Sequence, residues 1–157
     1  MHAQSLLILP CSADKRSGTL PAIEKYVGKG YWQLFNQHPV SGLPKDQLRV
    51  AIVSAEYGLL TSDQLVPDYD RKLTRTRIKD FQRGSQRHHF DTALASELDS
   101  DSALFLALPV LYRTFFYHLI GSTLANERIH TFPTGGGIGI QRKTLNRWLD
   151  SLIQPPV

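Results

Sequence analysis

One cysteine and one methionine stand among 157 residues. A lone cysteine cannot close an internal disulfide, and it suits a reducing compartment. No apolar run approaches the ~18 residues that a membrane span needs. The opening residues, MHAQSLLILP, lack the basic region, apolar core and small-residue cleavage site of a secretory leader. These absences predict a cytoplasmic protein with no membrane partner. Metal signatures are missing too: no CxxC or HExxH occurs, His88 and His89 are adjacent, and Cys11 has no neighbouring ligand partner. Neither a metal nor an organic cofactor is expected. Low-complexity tracts and internal repeats are absent, and nothing calls for an obligate protein partner.

What is present is an ordinary globular composition, 41% hydrophobic and 20% charged, sufficient for one domain over 1–157 with its own core. Apolar runs predict strands at 4–10, 49–55, 103–108 and 128–132. Helical spacing predicts helices at 19–27, from Tyr31 towards Pro39, at 74–83, at 86–98, from Pro109 to about 120, and at 141–152. The stretch 58–73 reads as irregular. Strands alternating with helices imply an α/β fold: a three-layer sandwich around a short, mainly parallel, four-stranded sheet.

Two polar clusters stand where strands run out. SLLILPCSADK ends in Cys11, Ser12, Asp14 and Lys15; VAIVSAEYGLL carries Ser54, Glu56, Tyr57 and Gly58 into a turn. Open α/β sheets place their ligands beyond the carboxyl ends of strands, so both clusters are expected to line one crevice. The next stretch adds Asp63, Asp68 and Asp70, with Tyr69 between the last two. A carboxylate can orient a water or stabilise a developing cation, and an aromatic face can stack on a base or sugar. Glu56, Asp70 and Asp68 are the catalytic candidates; Asp63 sits in a plain turn. Ser12 and Lys15 read as substrate-positioning groups, with Cys11 a small buried neighbour rather than a covalent nucleophile.

A net charge of +4 is concentrated in one stripe. Arg71, Lys72, Arg75, Arg77, Lys79, Arg83 and Arg87 face a single acid, Asp80, and His88 and His89 continue the run. Such a stripe can track a phosphate backbone. In PTGGGIGIQRK, Gly136 and Gly137 precede a predicted helix, where backbone can approach a phosphate or sugar with Arg142 and Lys143 nearby. The glycines match neither GxGxxG with a trailing acid nor GxxxxGK[ST], which argues against dinucleotide or NTP binding. Trp32 and Trp148 read as helix-packing residues, and His118 and His130 as structural.

The motifs C-S-x-x-K at Cys11–Lys15 and S-A-x-Y-G-L-L at Ser54–Leu60, then a P-Y-D-like element and a Gly-rich turn, resemble a family of small bacterial and phage domains. That family is similar to the YaaA-like peroxide-stress proteins and to an accessory domain of archaeal tRNA-guanine transglycosylases. The resemblance implies a uracil-DNA-glycosylase-like fold. The family's P-Y-D stands here as Pro67-Asp68-Tyr69-Asp70, so either aspartate can take its place. The resemblance also implies base excision from DNA without a metal. Glu56 or Asp70 would stabilise the sugar cation, and Ser12, Lys15 and Tyr57 would bind near the base, with Cys11, Ser54, Gly58 and Tyr69 lining the site. The G-x-D-P-Y-H and H-P-S-P signatures of ordinary uracil excision are missing. The expected partner is therefore DNA carrying modified bases, such as a hypermodified phage cytosine, in antiviral defence. Two other classes stay open: a non-catalytic DNA-binding stress protein, and an N-ribosyl hydrolase or transferase on free nucleotides.

Overall fold

Leu6, Leu7, Ile8 and Leu9 are consecutive, apolar and wholly buried. Side chains alternate across a strand, so an unbroken buried run requires cover on both faces of the sheet. The computed structural model describes residues 5–28, 30–37, 48–83, 103–120, 129–131 and 138–153. In it this run forms β1 (Ser5–Pro10), the middle strand of a five-stranded sheet.

The elements continue as β2 (Leu20–Pro21), α1 (Ala22–Lys25), α2 (Tyr31–Gln37), β3 (Leu48–Ser54), β4 (Gly58–Thr61), β5 (Leu65–Val66) and α3 (Arg75–Arg83). Then come β6 (Ala103–Leu106), α4 (Val110–Ile120), β7 (Ile129–Thr131) and α5 (Ile138–Ile153). The large sheet runs β4-β3-β1-β6-β7. β1 pairs in parallel with β3 (Leu7 opposite Val50) and with β6 (Leu7 opposite Phe105), and β6 pairs in parallel with β7. The chain thus builds to one side of β1 and then crosses to the other. In open α/β sheets such a switch in strand order marks the carboxyl ends of the flanking strands, here β1 and β6, as the place where ligands bind. The fold is α/β, with the expected parallel strands in place.

Three elements differ from the expectation. The stretch read as irregular from 58 contains β4, antiparallel to β3 with Ser54 opposite Gly58, and β5, which pairs with β2. Gly58 carries φ +82°, the left-handed conformation that a three-residue hairpin connection requires, and this turn chemistry was the signal for β4. The helix expected over 19–27 shrinks to the single turn of α1. The amides of Ala22 and Ile23 donate to Gln64 O and Ser62 O, 2.8 and 2.9 Å away, and Tyr26 is already extended. Pairing with β5 outcompetes helix propensity there. The helix read at 86–98 lies outside the described residues.

Helix α2 contacts α5, and α3 contacts α4. Trp32 is buried against Tyr26 and Phe35 and donates its indole N–H to Pro10 O at 2.6 Å; Trp148 lies on Phe105, ring centres 5.0 Å apart. Both tryptophans are helix-packing residues, as expected. Among the described residues no helix is long and apolar enough to cross a membrane.

Placing a Cβ in the left-handed region costs roughly 1–2 kcal/mol. Gly58→Ala should therefore destabilise the protein by about that amount, seen as a lower urea midpoint at unchanged slope. An unshifted midpoint would show that the turn relaxes.

Candidate active site at the carboxyl edge of the sheet

Ser54 ends β3, and its side chain organises the turn that leads into β4. Its Oγ accepts the backbone N–H of Glu56 and of Tyr57, each at 3.1 Å, which closes a tight serine turn. The turn is gripped from α3: Arg77 donates Nε to Ala55 O and Nη2 to Glu56 O, both at 2.8 Å. The Glu56 carboxylate leaves the turn towards Arg71, whose Nε lies 2.8 Å from Oε2. Backbone and side chain of Glu56 are thus fixed by two different arginines, while its side chain stays one-third exposed at 34%. A held, partly solvated carboxylate can orient water or face a developing positive charge.

Behind this acid lies a group of neutral hydroxyls. The Tyr69 hydroxyl is 2.6 Å from that of Tyr26 and 3.0 Å from Ser54 Oγ. Across the switch point, Cys11 Sγ lies 3.1 Å from the Tyr112 hydroxyl. Tyr26, Tyr69 and Tyr112 are all pushed far above the ordinary phenol range. Burial is the foremost cause in each, and the neighbouring Cys11 thiol adds to it for Tyr69 and Tyr112. These phenols stay protonated, so the interior of the site offers hydroxyl donors and acceptors without charge.

Tyr69 also presents its ring. Tyr57 meets it edge-on with centres 5.3 Å apart, and Lys15 Nζ sits 4.5 Å from the Tyr69 ring centre. Lys15 is brought there by a bridge between its backbone and that of Tyr26. Ser12 Oγ lies 2.6 Å from Asp14 O and 2.8 Å from Val27 O, so it holds the loop together. Gly28 completes that loop at φ +115°, where a Cβ would fall 2.9 Å from Asp14 Oδ2. Neighbouring this cluster, Lys25 is wholly buried and donates to Gly18 O and to Asp68 Oδ1, the latter at 2.6 Å. Gly18 N donates to the same Asp68 oxygen at 2.9 Å. The Lys25 hydrogen bond first, then that from Gly18, holds the Asp68 carboxyl below its ordinary 3.8.

The sheet therefore unites Cys11, Ser12, Lys15, Ser54, Glu56, Tyr57, Gly58 and Tyr69 around one edge. Asp68 is occupied by Lys25 and Gly18, whereas Asp70 is exposed. Lys72, Arg75 and Lys79 are exposed along the basic stripe, and Arg142 and Lys143 are exposed on α5. Arg71 and Arg77 turn instead to Glu56. Gly136, Gly137, Arg87, His88 and His89 lie outside the described residues, as does the Arg83 side chain. Three participants escaped the sequence reading: Tyr26, Tyr112 and Lys25. Tyr112 comes shortly after a buried strand, as Cys11 does, and the same rule of strand ends would have found it. Tyr26 and Lys25 had no such signal, because AIEKYV reads as a helix with its lysine in water.

A raised phenol value in the fold makes the contribution of these groups to stability whole below about pH 10 and lost as pH rises. Tyr69→Phe should leave the tyrosinate absorbance of the folded protein at pH 11 unchanged. A smaller signal in the variant would show that Tyr69 ionises in place.

A comparison with curated proteins finds no match. The family model described as a family of unknown function (DUF6884) matches residues 6–147, a span from β1 into α5 that takes in every site residue above. The chain belongs to that family.

Proposed function

We propose that this protein is a DNA glycosylase, hydrolysing the N-glycosidic bond of a modified base to leave an abasic site. The observation that carries the reading is Glu56, fixed by Arg71 and Arg77 beside Tyr57, with Tyr57 against Tyr69 and the Lys15 ammonium over the Tyr69 ring. Acid, aromatic surface and cation are what N-glycoside cleavage on a polymer needs. The base must leave the stack to be reached, and ring surface receives it. As the C1′–N bond breaks, its electron pair leaves with the base, where the Lys15 ammonium offsets the charge. Glu56 faces the sugar cation and takes a proton from the water whose oxygen bonds to C1′. Glu56 fits this role best: Arg71 and Arg77 fix it in the turn after β3 beside Tyr57, whereas Asp68 bonds Lys25 and Gly18 and Asp70 is exposed. We also read the four parallel strands and flanking helices as the uracil-DNA-glycosylase-like fold that the sequence motifs imply. The missing uracil-excision signatures favour a bulkier target, a hypermodified phage cytosine, and hence a role in antiviral defence.

The test is release of base from matched DNA carrying cytosine, uracil, hydroxymethylcytosine or glucosylated hydroxymethylcytosine, read by alkaline strand cleavage and mass analysis. We expect cleavage confined to a modified DNA, and Glu56→Gln should slow it by roughly 10²–10⁴-fold, as removal of a general base does. Robust excision of uracil alone would reverse the substrate assignment. Intact strands with retention on DNA would favour the non-catalytic DNA-binding reading, to which the Glu56–Arg71 ion pair also lends itself. Neither product nor retention would direct attention to free nucleotides.

The exposed cations give a separate expectation. Each phosphate contact contributes about −0.9 to the slope of log affinity against log salt. Lys72→Ala and Arg75→Ala should each flatten that slope by about one. An unaltered slope would place the DNA elsewhere on the protein.

A further inference from the structure

We propose that Lys25 is a positioning residue of this site: its buried ammonium holds Asp68 so that Tyr69 and Arg71, on the same strap, are set against the sheet edge. The inference rests on the glycosylase reading for its kinetic consequence only. Its geometry is independent of that reading. Two adjacent residues clasp two adjacent residues, Lys25 to Asp68 at 2.6 Å and Tyr26 to Tyr69 at 2.6 Å. One residue beyond Tyr69 and Asp70, Arg71 reaches Glu56. On the other side, the Lys25 backbone carbonyl accepts Arg16 N at 2.8 Å, next to the bridge that places Lys15. Lys25 therefore lies at the junction of the loop bearing Lys15 and the strap bearing Tyr69 and Arg71.

The unequal exposure of the pair indicates what the lysine is for. Lys25 is 0% exposed, whereas Asp68 is 69% exposed. Burying an ammonium is costly, and a solvated partner returns little of that cost. An apolar side chain of similar length would fill the same space without the desolvation, so stability alone does not call for lysine here. Removing the lysine charge also strands no buried anion, because Asp68 is already in water. The remaining effect of the pair is geometric: it dictates where residue 68, and with it residue 69, must lie. The lowered carboxyl value of Asp68 keeps that carboxylate ionised throughout the neutral range.

The experiment compares Lys25→Met, Asp68→Asn and Asp68→Glu with the parent protein. Single-turnover base release, affinity for unmodified duplex, melting temperature and amide exchange over 67–71 are all measured. We expect Lys25→Met and Asp68→Asn each to slow base release by roughly 10- to 100-fold, the scale of a misplacement near 1 Å. Melting temperature and duplex affinity should hold, and exchange over 67–71 should rise. Asp68→Glu should restore most of the rate. The inference is overturned if Lys25→Met keeps the parental rate, or if its rate falls only together with the melting temperature and with exchange across the whole sheet. If the parent itself releases no base, the glycosylase reading fails by that fact alone. Exchange over 67–71 and nitration of Tyr69 then decide the clasp: a rise of both in Lys25→Met sustains it, and no change overturns it.

Discussion

The site depends on β1 being paired along both of its edges. Cys11 N continues the ladder to Val53 O at 2.9 Å, and Ala107 N reaches back to Ile8 O at 2.9 Å. Backbone groups buried in this way have no alternative partners, because water is excluded from both faces. The ends of β3 and β6 are thereby fixed relative to β1 within a strand spacing, near 4.8 Å. That regularity lets the loop after β1, the last residue of β3 and the first turn of α4 bring Cys11, Ser54 and Tyr112 to one edge of the sheet.

Around this frame, Tyr26 and Ser54 are wholly buried, Tyr69 and Tyr112 are half-buried, and burial keeps the phenols neutral. Glu56 and Lys15 are half-buried too and Arg71 is exposed, so solvent reaches these charged groups and lowers the cost of ionisation. Lys25 is the exception, a basic side chain that is wholly buried. Its partner in water makes it a locating device for the strap more than a source of stability.

Much of this was legible in the sequence where burial dictates pattern. The run Leu6–Leu9 reads as a buried strand, and Ala51–Val53 and Leu104–Leu106 obey the same logic; that β1 is the middle one shows only in the fold. That Ser54, Glu56 and Lys15 come to one edge was legible because parallel strands of an α/β sheet end on the same side. The strand β4 was hidden because GLL is too short to show alternation, and the turn signal of Gly58 was the only cue. The short α1 was misjudged because AIEKYV has good helix formers, yet its amides are claimed by residues far along the chain, which local propensity cannot register. Lys25 was illegible for the same reason: its partner stands 43 positions away.

The antiparallel course of β4 has its own effect on the strap. β4 carries the chain away from the carboxyl edge, and the residues after Thr61 must return it there before Tyr69 can reach Tyr26. β5, pinned to β2, fixes the return at Leu65–Val66. The stretch from Thr61 to Tyr69 therefore behaves as a measured length of cord between two knots. One residue more or less between Val66 and Tyr69 would leave the sheet ladder untouched and still bring a different side chain to the hydroxyls of Tyr26 and Ser54. The spacing of this segment is part of the site as much as the residues it carries.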